Sequence, residues 1–319
     1  MNKQKKPFVF IIFGPTAVGK TSFALKLAGE VPAEIINGDS GQFYTPFSIG
    51  TAKPDWKNEP VAHHLFDIVD EPKDFSVVAY RKRLIETVHD ISSRGKLPII
   101  VGGSGFYLKS LFFVPLAGSE SSQEDLLQDK DFSWEKLHKI DPKRAGQIQK
   151  SDFYRIKRAL YIWYTTGKKP SDCIPEYKPP FHSSICYLTR ERQQLYDRIN
   201  MRTGQMIQEG WLEEAKALHA TEWRAFLYRK KLIGYDILFD YLDGNIELKK
   251  VVSIIQKQTR NYAKRQETFW RMFERQIKEV LAKDFQREWN VQTELANLTF
   301  LDRDLYIKQL SKKLRAQIS

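Results

Sequence analysis

Cysteine is scarce, with Cys173 and Cys186 the only two in 319 residues. Two thiols neither staple a disulfide scaffold nor build a metal cage alone. Their rarity fits a reducing compartment, so a cytoplasmic location is expected. Long apolar runs are missing as well. None exceeds the six residues of Phe8–Phe13, far below the ~20 that span a bilayer, so no membrane partner is expected. The basic start, Met1–Lys6, leads through that run into a glycine motif with no small-residue cleavage site, which reads as a first strand rather than a signal peptide. Acidic charge is in deficit: 39 Asp plus Glu stand against 51 Lys plus Arg, a net charge of +12. That surplus favours an acidic partner, nucleic acid foremost. With 42% apolar and 28% charged residues, a disordered or fibrous chain is excluded, and the length suggests about two domains.

Glycine and proline are absent from Asn245 to Lys283, and the stretch carries helical spacing. With ~100° per residue and Lys264 at zero, Lys257, Arg260, Arg271, Arg275 and Lys278 fall within about 40° of it. Val251, Ile255, Tyr262, Phe269, Phe273 and Val280 fall near the opposite side. Residues 224–283 hold 14 Lys plus Arg against 7 Asp plus Glu. The predicted object is a long helix with an apolar back and a cationic ridge suited to tracking phosphates.

Phe8–Phe13 reads as a buried strand and runs into Gly14, Pro15, Thr16, Ala17, Val18, Gly19, Lys20 and Thr21, after which Ser22–Ala28 is helical. Strand, glycine loop, Lys-Thr and helix together form a phosphate-binding loop. Its backbone N–H groups and the helix N-terminus converge on phosphate oxygens. Lys20 is placed to bridge terminal phosphates and Thr21 to hold a magnesium ion, so the ligand carries at least a diphosphate. A hydrolytic motor normally adds a second apolar strand ending in Asp. Here Leu97–Val101 ends instead in Gly102-Gly103-Ser104-Gly105, which disfavours motor or switch function.

A second short strand, Ala33–Asn37, is followed by Gly38-Asp39-Ser40-Gly41-Gln42. In an open parallel sheet the ligand crevice lies outside the carboxyl ends of the strands, so Asp39 and the phosphate loop should face one crevice. A carboxylate there can orient an attacking group and take its proton. Arg198 and Arg202, four apart on one helix face, either close on the diphosphate or pack against Glu191 or Asp197. His63 and His64 lack a third ligand at metal spacing and are expected to order the loop before Phe66 and Asp67.

These residues, in this order, resemble the tRNA dimethylallyltransferase family, also called tRNA isopentenyltransferases. The likeness rests on Gly14–Thr21, Asp39-Ser40, Ile49–Pro54, His63-His64-Leu65 with Asp67, Gly102–Leu108, Arg155–Leu160, Ile233-Gly234-Tyr235 and Thr259–Gln266. It implies transfer of a dimethylallyl group from dimethylallyl diphosphate, with Mg²⁺, to N6 of the adenosine just 3′ of a tRNA anticodon. In that reaction Asp39 would accept the N6 proton while Lys20 and magnesium stabilise the leaving diphosphate. The adenine would be flipped into a channel. Ser104, where the family usually has Thr, would bring a hydroxyl to Asp39 and the diphosphate. By the same resemblance Asp39, Ser40, Gly41 and Gln42, the helix turn Tyr154, Arg155, Ile156, Lys157 and Arg158, the pair Gly234 and Tyr235, and Lys264, Arg265, Gln266 and Arg271 would contact tRNA. Lys231 stands where the family has an Arg and is expected, with Arg202, to reach the diphosphate; it keeps the charge without the bidentate fork. The polar stretch Gly118–Asp125 suggests a trimmed form of the insertion that clamps the anticodon stem.

The expected architecture is α/β: a P-loop NTPase-like parallel sheet with strands near 8–13, 33–37, 97–101 and 185–189, helices on both faces, and an inserted, mainly helical lobe. Residues 1–116 with 183–284 would form the core and RNA-facing helices. Residues 117–182 would form the lobe on the anticodon stem, and 285–319 a C-terminal extension whose basic end, Lys312–Arg315, is expected to fray. The protein is expected to act as a monomer. Two alternatives stay open on the residues alone: a P-loop small-molecule kinase, and a non-catalytic RNA-binding protein with a degenerate diphosphate site.

Overall fold

A computed structural model of the chain describes residues 6–114, 130–173, 175–283, 292–296 and 303–318. They divide into two compact units, one of Met1–Phe75, Lys82–Lys109 and Pro180–Ser319, the other of Ser76–Arg81 and Ser110–Pro179. The strands are β1 (Phe8–Phe13), β2 (Ala33–Asn37), β3 (His63–His64), β4 (Leu97–Gly102), β5 (His182–Leu188) and β6 (Gln292–Ala296). The helices are α1 (Lys20–Glu30), α2 (Val77–Ser93), α3 (Gly105–Phe112), α4 (Trp134–Ile140), α5 (Pro142–Ala145), α6 (Phe153–Thr166), α7 (Arg192–Gln208), α8 (Trp211–His219), α9 (Trp223–Lys230), α10 (Tyr235–Leu242), α11 (Leu248–Lys283) and α12 (Arg303–Ile318).

The first unit is built on a parallel sheet in the order β3-β2-β4-β1-β5-β6. β1 lies inside the sheet and is buried along nearly its whole length, which is why its sequence is a continuous apolar run rather than an alternating one. Phe23, Ala24 and Leu27 of α1 pack with Phe10 and Ile12 of β1 in one core, joined by Leu195 and Ile199 of α7 and Ala263 of α11. The sheet has two strands beyond the four expected. β3 is only two residues long, and β6 is polar enough (Gln-Thr-Glu-Leu-Ala) to carry no strand periodicity. The tail is not frayed. Ile307, Leu310 and Leu314 of α12 are buried in the same core as Phe23 and Leu27, and Arg315 reaches the Glu30 carbonyl of α1. No described helix is long and apolar enough to cross a membrane.

The second unit has its own small core of Leu137, Ala145, Ile148, Ile156, Ala159 and Leu160. Its helices are capped by side chains: Ser133 accepts from Lys136 N–H, Asp141 from Arg144 N–H and Asp152 from Arg155 N–H. The expected linker at Gly118–Ser122 lies outside the described residues.

Candidate active site

Strand order sets the site. β4 lies between β2 and β1, so the loops leaving their carboxyl ends stand in a row: Asp39 after β2, Ser104 after β4, the phosphate loop after β1. The outer two strand ends are two strand spacings apart, roughly 10 Å.

The phosphate loop opens on Gly14, where a Cβ would come within 2.6 Å of the Leu188 carbonyl. It closes on Gly19, which starts α1 at φ 106° and provides no side-chain cap. The first turn of α1 carries no acidic residue, so the positive end of its dipole is left for a ligand. Ala17 is held at φ 63°, a left-handed backbone retained by its neighbours: Arg198 Nε donates to the Ala17 carbonyl at 2.8 Å and Arg190 to the Val18 carbonyl at 3.4 Å. Arg202 donates to the Thr16 hydroxyl. Arg198 and Arg202 of α7 are thus both on the loop. Glu191 instead caps α7 through Gln193 and Gln194 N–H, and Asp197 accepts from Gln193.

Lys20 donates to the Gly14 and Pro15 carbonyls at 3.0 and 2.9 Å. Burial lowers its pKa to about 8, opposed by the Asp39 charge and aided by Arg202. Burial also lowers the Arg202 pKa, again against the pull of Asp39. Asp39 is thus near enough for its charge to favour the charged forms of Lys20 and Arg202.

Asp39 starts a short turn of helix over Ser40–Phe43. Its Oδ1 accepts from Gly41 N–H at 3.4 Å and from the Ser104 hydroxyl at 3.3 Å. Ser40 N–H donates to Ser104 Oγ at 3.0 Å, and the two hydroxyls lie 3.2 Å apart. Buried Asn37 fixes the backbone beneath: its Oδ1 accepts from Asp39 N–H at 2.8 Å, and its amide donates to the Asp39 and Leu65 carbonyls. The Asn-Gly-Asp spacing thus ties the Asp39 backbone to the strand end by side-chain hydrogen bonds.

Around this row stands a ring of supports. Gln42 donates to the Thr51 and Ala52 carbonyls. Glu214 of α8 accepts from the N–H groups of Ser48, Ile49 and Gly50 at 2.7, 2.8 and 3.0 Å and from the Tyr235 hydroxyl at 2.6 Å. Lys53 pairs with Asp67, which also accepts from Trp56. His64 is bonded to Glu34, and His63 to the Val61 carbonyl.

The residues expected to contact RNA divide. Tyr154, Arg155, Lys157, Lys264, Arg265 and Arg271 are exposed; Arg158 and Gln42 are half-buried. Ile156, Tyr235 and Gln266 are only 1%, 0% and 4% exposed, so their side chains serve the interior rather than a surface. Gly41 is buried against Thr51, and Gly234 takes φ 92° beneath Trp211. Lys231 ends α9 in a left-handed conformation (φ 51°) with its side chain exposed, and is not among the side chains on the phosphate loop. Thr21 is exposed in the first turn of α1.

Sequence reading missed three residues. Tyr262 reads as part of the apolar back of its helix, yet burial, with the Asp39 charge added, raises its hydroxyl pKa. Its signal was a tyrosine where phenylalanine would serve packing. Glu214 and Arg190 act across more than 160 residues of chain, and no local pattern marks them.

The IPP transferase family profile matches residues 42–273. A tRNA dimethylallyltransferase of Anoxybacillus flavithermus is 38% identical over 296 residues, 86% of this chain and 94% of that protein. The full-length tRNA isopentenylpyrophosphate transferase of Bacillus halodurans superposes with a TM-score of 0.62 at 31% identity, covering 98% of this chain and 97% of the other. A eukaryotic dimethylallyltransferase captured acting on tRNA superposes with a TM-score of 0.70 at 25% identity, covering 97% and 85%. With the phosphate loop, the aspartate and the serine aligned on three adjacent strand ends, the chain belongs to the IPP transferase family.

Proposed function

We infer that the protein is a tRNA dimethylallyltransferase, moving a dimethylallyl group from dimethylallyl diphosphate to N6 of the adenosine just 3′ of the anticodon. The observation that carries this reading is the row Asp39–Ser104–phosphate loop. It offers a proton acceptor at one end and an anion cradle at the other, roughly 10 Å apart, with no carboxylate at the end of β4 to drive hydrolysis.

The donor's diphosphate would lie on the N-terminus of α1, held by loop N–H groups, Lys20 and Arg202. Asp39, oriented by Ser104 and Asn37, would hydrogen-bond the N6 amine and take its proton as the C–N bond forms and the allylic C–O bond breaks. The electron pair leaves with diphosphate, whose growing charge Lys20 and Arg202 offset. Among the described residues no group of three or more His, Cys, Asp or Glu is placed to hold a metal. Magnesium suits such a site, because one protein hydroxyl, Thr21, and the substrate's own phosphate oxygens satisfy it. Mg²⁺ bound there would supply further charge neutralisation on the leaving group. The cations of α11 and, separately, those of α6 would hold the RNA. The chain would act as a monomer.

The test is transfer from labelled dimethylallyl diphosphate to tRNA in the presence of Mg²⁺. Asp39→Ala is expected to lower the rate by about 10²–10⁴-fold while tRNA affinity stays near the parent's. Equal losses of rate and affinity would remove Asp39 from the chemistry.

A further inference from the structure

Gln266 is the polar residue on the buried face of α11, and both ends of its carboxamide are used. Oε1 accepts from Thr16 N–H at 2.8 Å, and Nε2 donates to the Gly103 carbonyl at 2.8 Å. An amide N–H on one side and a carbonyl on the other fix which way the group points. Gly103 is shaped to it: a Cβ there would fall 2.3 Å from Nε2.

The backbone explains why a side chain is needed. The pairing of β1 with β4 ends at Phe13↔Gly102. Beyond that point the strands part, one into the phosphate loop, the other toward Ser104. Gln266 supplies the next rung, taking the N–H of Thr16 and giving an N–H to Gly103, as a strand would. Thr16 belongs to the anion cradle and is also gripped by Arg202. Gly103 precedes Ser104, which holds Asp39 and Ser40. The neighbouring turns of α11 press on the same loop: a Cβ at Gly105 would strike the Phe269 ring at 2.3 Å, and Tyr262 senses the Asp39 charge.

We propose that Gln266 is a positioning residue that sets the spacing between the diphosphate cradle and the Asp39–Ser104 pair, and is not a contact to RNA. This rests on the transferase reading above. Reacting groups displaced by about 1 Å can lose roughly 10²-fold in rate, so a lost rung between the two half-sites should appear in turnover. Lys264 and Arg265, beside it in sequence, point outward, so a change at 266 leaves the cationic face intact.

Two variants test the proposal. Gln266→Leu removes both hydrogen bonds. Gln266→Glu keeps an acceptor for Thr16 but, when ionised, turns an oxygen toward the Gly103 carbonyl; when protonated it can donate there again. The expected result is a kcat lower by about 10–100-fold in both, with tRNA Kd within about twofold of the parent. The ratio of the Gln266→Glu kcat to the parent's should rise as pH falls from about 8 to 5.5, while the Gln266→Leu ratio stays flat. Weakened tRNA binding with an unchanged single-turnover rate at saturation would overturn the proposal, as would a flat ratio for Gln266→Glu. A parent protein that transfers no dimethylallyl group would sink the function reading instead. The rung is then read from inorganic diphosphate binding, expected to weaken about tenfold in Gln266→Leu and unchanged if Gln266 does not hold the cradle.

Discussion

At the scale of single residues, the fold alters the ionisation of the lysine of the phosphate loop. Burial brings the Lys20 pKa from 10.5 down to about 8. The folded protein therefore disfavours the ammonium. That cost is fully present below pH about 8 and fades as pH rises toward the unfolded value. A bound diphosphate restores the preference for the charged form. Binding of inorganic diphosphate is thus expected to take up a proton above pH about 8, and its affinity to fall by up to about tenfold per pH unit there. Calorimetry in two buffers of different ionisation enthalpy measures the uptake; none at pH 8.5 would place Lys20 outside the contact. Glu214 carries a second prediction. Glu214→Ala leaves three backbone N–H groups and the buried Tyr235 hydroxyl without their acceptor. A loss of about 2–4 kcal/mol is expected in urea unfolding. The phosphate loop and Asp39 were legible because their partners are neighbours in sequence or standard strand-end loops. Glu214, Arg190 and the inward role of Gln266 were not, because a polar side chain gives no sign in sequence of whether it meets water or a distant backbone.

At the scale of elements, α11 was the clearest reading. Its spacing placed Lys257, Lys264, Arg271, Arg275 and Lys278 on one side, and all are exposed; Arg260 is half-buried and bonded to Asn200. Val251, Ile255 and Phe273 of the expected apolar back are buried, while Tyr262, Phe269 and Val280 are half-buried and Ala263, Gln266, Trp270 and Ile277 join the packed face, which is turned slightly from the one the pattern implied. Trp270 stacks on Tyr187 at 4.5 Å. Lys264→Ala combined with Arg271→Ala is expected to weaken tRNA binding and flatten its log–log salt slope by roughly 2. Filter binding across a salt series reads this, and an unchanged slope would mean that these two cations meet solvent only. β3 and β6 escaped sequence reading for opposite reasons: one is too short to show a period, the other too polar. Their pairing is decided by the neighbouring strand.

At the scale of the whole molecule, the C-terminal residues complete the first unit's core. Ile307, Leu310 and Leu314 are each 3–4% exposed and cover the side of α1 that carries Phe23 and Leu27. Their burial is worth roughly 1.5–3 kcal/mol each before the ordering cost of α12 is subtracted. Ending the chain after residue 302 is expected to lower the melting temperature and, by loosening α1, to weaken diphosphate binding; calorimetry reads both. An unchanged melting temperature would show that α12 only rests on the surface. The basic letters Lys312–Arg315 suggested a loose end because charge is conspicuous in sequence, whereas Leu310 and Leu314 reveal their packing only once α1 is in place.

The single 36-residue helix α11 also restricts how its gene segment can change. Each residue turns the helix by ~100°. One codon gained or lost between Val251 and Lys264 would swing Gln266 away from Gly103 and carry cations toward the sheet. A substitution in that segment alters one contact at a time, whereas a change in its length re-aims every side chain on one side of it.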